Sequence, residues 1–203
     1  MRKLYEMAKI YLPKSLPLTE YADERVQFTL GFYGEGDFFT MKGVVEEFLE
    51  RAGMHDIVDY DPNAGKNFLH PGRQANIIYQ GKVIGYMGEV HPEVVDNYNL
   101  GQRVYVAEIN IDTVFENLNL TKSYNPLPKY PSTSRDIALI VKDEVFVKQI
   151  EDIIKANGED LVESYKLFDV YKGAQIEEGH KSIAYSITYR SKDKTLTDED
   201  VAK

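Results

Sequence analysis

Hydrophobic side chains recur at two different spacings in the first half of the chain, which predicts a mixture of strands and helices. Residues 3–12 carry apolar side chains at mixed intervals and residues 26–32 alternate strictly, so both segments are predicted strands. A helix is predicted after Asp37, a good N-cap residue, and Gly53 can close it as a C-cap. Its apolar stripe has helical spacing and consists of Phe38, Met41, Val45, Phe48 and Ala52.

Two further strands form a predicted hairpin. Residues 75–79 and 83–88 are joined at Gln80-Gly81, which is a two-residue turn containing glycine. A short helix is predicted to begin at His91-Pro92-Glu93, because proline is tolerated in the first turn of a helix. Two shorter elements follow, a strand and then a helix, predicted over residues 103–111 and 113–117.

Proline is concentrated just after these elements. The dipeptides Asn125-Pro126, Leu127-Pro128 and Tyr130-Pro131 lie close together. Because proline fixes φ and lacks a backbone donor, such a segment resists both helix and sheet. The sequence therefore predicts a first domain over residues 1–118, a linker over 119–131 and a second domain over 132–203.

The second domain has the order strand, helix, strand, strand and the start of a helix. Thr197 with Asp200 resembles a capping box, so a last helix is predicted to begin there. This β-α-β-β-α order is the ferredoxin-like pattern, which packs two helices on one sheet face. The predicted strands cover residues 136–141, 162–171 and 182–190, and the helix between them carries Phe146, Ile150, Ile153 and Ile154.

Composition narrows the functional classes. The chain has 203 residues, a formal net charge of −9 and no cysteine. The negative charge argues against nucleic-acid binding over the whole surface, although it leaves room for a local site. The absence of cysteine excludes disulfides and thiolate chemistry, and there is no apolar run long enough to span a membrane. A cytoplasmic location is expected.

Two features of the first domain could carry chemistry. His70 and His91 flank the predicted hairpin and could share a metal ion, but they are better explained as hydrogen-bonding residues at a turn and a helix start. The glycine-rich residues 31–37 precede a helix and could hold a phosphate, yet Glu35 and Asp37 stand where the anion would bind. No catalytic residue, metal ligand or cofactor site is therefore predicted.

The second domain carries aromatic and basic residues on and beside its predicted strands. Aromatic rings on an open sheet, surrounded by cations, are what stacking recognition of single-stranded RNA requires. Ordinary packing of aromatic residues within a sheet is the alternative explanation. The residues concerned are Arg135, Phe168, Tyr171, Tyr185, Tyr189 and Arg190, with Lys172, Lys192 and Lys194 at strand ends.

The order of several short motifs resembles the C-terminal part of the bacterial phenylalanyl-tRNA synthetase β subunit. The motifs are H-P-G-R from His70, G-E-x-H-P-E from Gly88, Y-P-S-x-x-R-D from Tyr130, F-D-V-Y-x-G from Phe168 and T-L-T-D-E from Thr195. The resemblance covers nearly the whole chain. It implies an α+β fold: a partial class II synthetase-like antiparallel-sheet module without an active site, then a ferredoxin-like β-α-β-β-α anticodon-binding domain truncated in its last helix.

The resemblance also implies partners and a site. The family enzyme is an αβ heterotetramer that joins phenylalanine to its tRNA with ATP and magnesium, and catalysis belongs to the α subunit. The chain would pack against that subunit and bind the tRNA anticodon region, with no cofactor of its own and no activity alone. The resemblance implies RNA contacts at Arg135, Phe168, Tyr171, Tyr189, Arg190 and Lys194, with Asp136 and Asp169 as RNA contacts or structural acceptors.

This chain departs from the family pattern at Ser134, where a basic or other bulky residue is common, and at Lys194, where arginine is often found. The resemblance further implies a longer subunit with N-terminal modules and a complete last helix. An incomplete helix would leave apolar sheet surface exposed, including some of Ile137, Leu139, Val170, Ile183 and Ile187. Two other functions stay open: a module for protein interaction only, and a ferredoxin-like module that binds a small molecule.

Overall fold

The strand at the start of the chain forms one edge of a six-stranded antiparallel sheet. The computed structural model describes residues 2–54, 58–121, 123–124, 126–158 and 160–201. They form two units, residues 1–123 and 124–203. The first unit contains β1 (Arg2–Leu12), β2 (Asp23–Tyr33), α1 (Phe38–Arg51), β3 (Val58–Asp61), β4 (Leu69–Tyr79), β5 (Lys82–Val90), α2 (Pro92–Asn97), β6 (Val104–Asn110) and α3 (Ile111–Glu116). Its strand order is β1-β2-β6-β5-β4-β3.

Helix α1 begins where the sequence predicts and supplies one side of the first core. Asp37 accepts a hydrogen bond from the Thr40 backbone N–H at 2.8 Å, and the Asp37 N–H donates to Thr40 Oγ1 at 3.2 Å. The apolar stripe of α1 packs on the sheet through Met41, Val45 and Leu49, all of which are buried. The cap at the other end is Ala52 rather than Gly53, and Gly53 follows it at φ +79.

The predicted hairpin is confirmed as β4 and β5. Gln80 and Gly81 both have positive φ, 49° and 76°, as a two-residue turn with the twist of a hairpin requires. Two strand segments were not predicted: β3, and the beginning of β4 at Leu69. The four residues of β3 are half-buried, and a segment of only four residues gives a weak strand signal in the sequence.

The second unit contains a three-stranded antiparallel sheet and one long helix. Its elements are β7 (Thr133–Lys142), α4 (Val147–Asn157), β8 (Val162–Tyr171), β9 (His180–Tyr189) and α5 (Asp198–Val201). The strand order is β7-β9-β8. The predicted α+β class and the β-α-β-β-α order are confirmed. No helix among the described residues is long and apolar enough to cross a membrane.

The apolar contacts of α4 differ from the predicted stripe. Ile150 is buried, and Val147 and Ile154 pack against the same core. Phe146 and Ile153 are exposed instead, because Phe146 precedes the helix as its N-cap and Ile153 lies on its outer side. The predicted linker includes Lys122 and Asn125, which lie outside the described residues.

Candidate nucleic-acid interface

The sheet of the second unit has one covered face and one open face. Ile183, Tyr185 and Ile187 of the central strand β9 are buried against α4. Their neighbours on β7 and β8 are set by register: Tyr185, for example, lies between Ile137 and Leu167. Because side chains alternate across a strand, the intervening residues of β9 face away from the helix. They form the floor of the open face.

The open face is built from four rows of residues that cross the three strands. The central position of every row is small: serine, alanine or threonine. Small residues keep the floor shallow, so a planar group could approach the sheet closely. In order from β7 through β9 to β8, the rows are Ser134–Thr188–Ser164, Asp136–Ser186–Lys166, Ala138–Ala184–Asp169 and Ile140–Ser182–Tyr171.

Two exposed aromatic residues lie near the end of β8, at one corner of the sheet. The register shifts between Leu167 and Asp169, so Phe168 is the additional residue of a β-bulge. Phe168 is 54% exposed and Tyr171, three residues on, is 42% exposed. A Cβ at Gly173 would lie 2.2 Å from the Tyr171 hydroxyl, so glycine there leaves room for the ring. The F-D-V-Y-x-G motif therefore builds an aromatic corner.

Several polar side chains of the open face make no hydrogen bond or ion pair among the described residues. Among the described residues, neither Asp136 nor Asp169 has a hydrogen-bond partner, and Lys166 makes no ion pair. The hydroxyls of Ser134 and Thr188 lie 3.3 Å apart. Sequence reasoning missed Lys166 and Ser186, although their strict alternation with buried residues could have identified them.

The other predicted contact residues do not lie on this face. Arg135 pairs in register with Ile187, on the helix-bearing side, and forms an ion pair with Asp198. Tyr189 packs against the core on that same side. Tyr185 is wholly buried, so the expectation of exposed aromatic rings along the sheet is wrong for this residue.

Arg190 and Lys194 follow β9 and are held by contacts within the unit. Arg190 Nε donates to Glu163 at 2.7 Å, and its Nη1 donates to the carbonyl oxygen of Tyr130 at 2.5 Å. Lys194 Nζ donates to Asp200 at 2.6 Å. The six predicted residues thus fall into three places: Tyr171 lies on the open face with Phe168 at the bulge beside it, Arg135 and Tyr189 lie on the helix-bearing side, and Arg190 and Lys194 follow β9. RNA contact at all six stays a prediction.

Two ionisable groups near the second core have shifted pKa values. The Lys194 ammonium, together with the Thr197 N–H and hydroxyl, holds the pKa of Asp200 well below its usual range. Burial raises the pKa of the Tyr185 hydroxyl to about 12. The contacts that lower the pKa of Asp200 also form a capping box at the start of α5. The raised pKa of Tyr185 reflects burial of its hydroxyl on the face of the sheet that α4 covers.

The predicted exposure of apolar sheet residues is only partly correct. Val170 is exposed, and Ile137 and Leu139 are half-buried. Ile183 and Ile187 are buried because α4 and its neighbours cover them. The expectation is therefore wrong for the central strand and correct at the edge.

His70 and His91 of the first unit act in local hydrogen bonds. His70 Nδ1 accepts from the Gly72 N–H at 3.1 Å, and His91 Nδ1 accepts from the Glu93 N–H at 3.3 Å as the N-cap of α2. Within the described ranges, no three His, Cys, Asp or Glu side chains are grouped to hold a metal ion. At the N-terminus of α1, the Asp37 carboxylate takes the place where a phosphate would bind.

One buried carboxylate ties three strands of the first unit together. Glu89 on β5 accepts two hydrogen bonds from Arg73 Nη1, both at 3.1 Å, and one from the Tyr105 hydroxyl at 3.2 Å. Arg103 lies 3.7 Å away. These contacts join β4, β5 and β6 and satisfy the carboxylate, so the arrangement is structural.

Comparison with known proteins assigns both units. Residues 1–111, more than half of the chain, match the family model described as the phenylalanyl tRNA synthetase beta chain CLM domain. The chain belongs to the phenylalanyl-tRNA synthetase beta chain family. Residues 128–203 match the ferredoxin-fold anticodon binding domain. The resemblance inferred from the order of the motifs is confirmed.

Relatives within the phenylalanyl-tRNA synthetase beta chain family align along essentially all of this chain. The phenylalanine–tRNA ligase beta subunit of Clostridium acetobutylicum is 44% identical over 203 residues, which is 100% of this chain and 25% of that protein. The same subunit of Bacillus subtilis is 36% identical over 210 residues, covering 98% and 26%. The chain therefore spans about a quarter of the length of the curated relatives that it matches.

Proposed function

We propose that this chain is a non-catalytic part of a phenylalanine–tRNA ligase β subunit and that residues 124–203 bind the anticodon region of phenylalanine tRNA. The proposal is carried by one coincidence. The anticodon-binding domain match over residues 128–203 falls on a unit whose sheet carries two exposed aromatic residues at one corner, Tyr171 on the open face and Phe168 at the bulge beside it. Aminoacylation belongs, in this proposal, to an αβ heterotetramer whose α subunit uses ATP and magnesium.

The open face offers three kinds of contact to single-stranded RNA. Phe168 and Tyr171 provide stacking surfaces for unpaired bases. The free carboxylates of Asp136 and Asp169 can accept hydrogen bonds from base N–H groups. Lys166 supplies a cation for one phosphate. With few cations and a net charge of −9, stacking rather than phosphate contact would dominate the affinity.

The first unit would act as a scaffold that packs against the α subunit. Two features agree with a scaffold role there: the helix N-terminus is capped by its own Asp37, and the buried Glu89 is satisfied by Arg73 and Tyr105. These residues do not fit ATP or magnesium, so neither is assigned to this chain. A cytoplasmic location stays a prediction.

Binding of a fluorescent anticodon stem-loop of phenylalanine tRNA tests the proposal. Tyr171→Ala should weaken binding by about 1–3 kcal/mol, since it removes one stacking surface. Tyr171→Phe should keep most of the affinity because the ring remains. Lys166→Gln should lower the slope of log affinity against log salt by about one unit.

Matched controls separate stacking from fold stability. Tyr124→Ala removes a ring that lies outside the sheet and is more exposed than Tyr171, 86% against 42%, and it should leave binding unchanged. Thermal melts of each variant should match the unchanged chain. If Tyr171→Ala binds as well as Tyr124→Ala while Arg135→Ala abolishes binding, the RNA lies on the helix-bearing side and the open-face assignment is wrong.

The two alternative functions give different outcomes. An interaction-only module would not bind the stem-loop at any salt concentration. A small-molecule module would be stabilised against heat by amino acids or nucleotides. The family match and the shallow, open form of the face do not favour the second alternative.

A further inference from the structure

The end of the Tyr171 ring lies directly against Gly173, two residues further along the chain. A Cβ at Gly173 would lie 2.2 Å from the Tyr171 hydroxyl oxygen, 2.5 Å from Cζ and 3.2 Å from Cε1. Carbon atoms in van der Waals contact are normally about 3.5–4.0 Å apart. The φ of Gly173 lies outside the left-handed region, so the need for glycine here comes from the ring and not from the backbone.

The backbone on both sides of this contact is held in place. Tyr171 is the last residue of β8 and lies opposite Ser182 of β9 in register. Gly173 begins a turn, in which its carbonyl oxygen accepts a hydrogen bond from the Ile176 N–H at 2.9 Å. Rotation of the Tyr171 side chain is therefore the easiest adjustment to a new side chain at position 173. The ring would move, by roughly 1 Å or more, while the backbone stays.

Little else fixes the position of the ring. Tyr171 is 42% exposed, and the residue opposite it on β9 is the small Ser182. Among the residues that the structure describes, the Tyr171 hydroxyl makes no hydrogen bond and no other aromatic ring contacts it. The close approach to Gly173 is therefore the contact that limits where the ring can lie.

We propose that Gly173 is a positioning residue, which sets the pose in which the Tyr171 ring meets an unpaired base. This inference rests on the proposed binding of RNA at the open face. Aromatic groups prefer offset-stacked or edge-to-face arrangements, so the affinity depends on the pose of the ring as well as on its presence. A ring that already lies in its binding pose also loses less conformational freedom when the base arrives.

A double-mutant cycle on stem-loop binding tests this role. Gly173→Ala should weaken binding by about three- to tenfold, less than Tyr171→Ala, because the ring is moved rather than removed. In a chain that already carries Tyr171→Ala, the same change at Gly173 should have no further effect, since the atoms that the new Cβ would meet are gone. Gly43→Ala is the matched control, because a Cβ at Gly43 meets nothing within 4 Å.

Thermal melts separate positioning from fold stability. The atoms that crowd position 173 belong to the far end of a partly exposed side chain, so the ring can yield at little cost to the fold. Replacing glycine with alanine also restricts the unfolded chain. The melting temperature of Gly173→Ala should therefore match or slightly exceed that of the unchanged chain.

Fluorine NMR of the chain labelled with 3-fluorotyrosine reads the ring position without RNA. The chain has 15 tyrosines, and Tyr171→Phe identifies the signal of Tyr171 by its loss. Gly173→Ala should shift that signal, and Gly43→Ala should not. An unmoved signal refutes the inference and leaves the proposed function standing.

The binding results separate the two ideas further. If Gly173→Ala binds as tightly as the unchanged chain, or weakens binding equally with and without the Tyr171 ring, Gly173 does not act through that ring and the inference is wrong. If the unchanged chain binds no stem-loop, the proposed function fails, and the role of Gly173 in RNA binding fails with it.

Discussion

Two isoleucines on opposite faces of the second sheet give a matched test of the face assignment. Ile183 on β9 is 0% exposed in the core under α4, whereas Ile140 on β7 is 67% exposed on the open face. Truncating a buried isoleucine to alanine costs about 2–5 kcal/mol, and an exposed one costs little. A unit of this length has a total stability of about 4–12 kcal/mol. Ile183→Ala should therefore remove at least about a sixth of it, and about two-fifths at the middle of both ranges.

The assay must report on the second unit alone, because the chain contains two. Native-state hydrogen exchange read from peptides of β7, β8 and β9 does this without assuming that both units unfold together. Ile183→Ala should raise exchange throughout these strands, and Ile140→Ala should leave it within experimental error. If the two variants lost equal protection, α4 would not cover the face that carries Ile183, and the open face would have to be reassigned.

Three further predictions concern single contacts. Arg190→Met should destabilise the second unit by about 1–3 kcal/mol in urea titrations, because the bonds to Glu163 and the backbone are lost; an unchanged midpoint would show that Arg190 is free for another role. Glu89→Gln should cost the first unit about 1–3 kcal/mol by the same measurement, whereas Glu93→Gln, on an exposed carboxylate, should cost almost nothing. Tyr185 has a folded pKa of about 12, above its ordinary value near 10, so its contribution to stability is complete below pH 10 and is lost as pH rises towards 12. Tyr185→Phe should flatten the alkaline loss of stability, and an identical pH profile would contradict the assignment.

Local signals predicted most of the elements correctly. The Asp37 cap, the Gln80-Gly81 turn and the Thr197 capping box depend on neighbouring residues only, and each is found where the sequence indicates. Contacts between residues that are distant in sequence could not be predicted from such local signals. Strand β3 has only four residues, too few for its alternation to be recognised, and its pairing with β4 establishes it as a strand. The contacts of Arg190 with Glu163 and Tyr130 likewise join residues that are distant in sequence.

The candidate site was predicted less well than the fold, and the bulges of β8 explain why. Simple alternation would place Tyr171 on the same face as Tyr165 and Leu167, which point to α4. The additional residue at Phe168 reverses the alternation, so Tyr171 joins the open face instead. A bulge leaves little trace in the hydrophobic pattern, and register with β9 is needed to detect it. Residues that different motifs bring into one predicted site can therefore be recognised in sequence while their side chains lie on opposite faces, as Arg135 and Tyr171 do here.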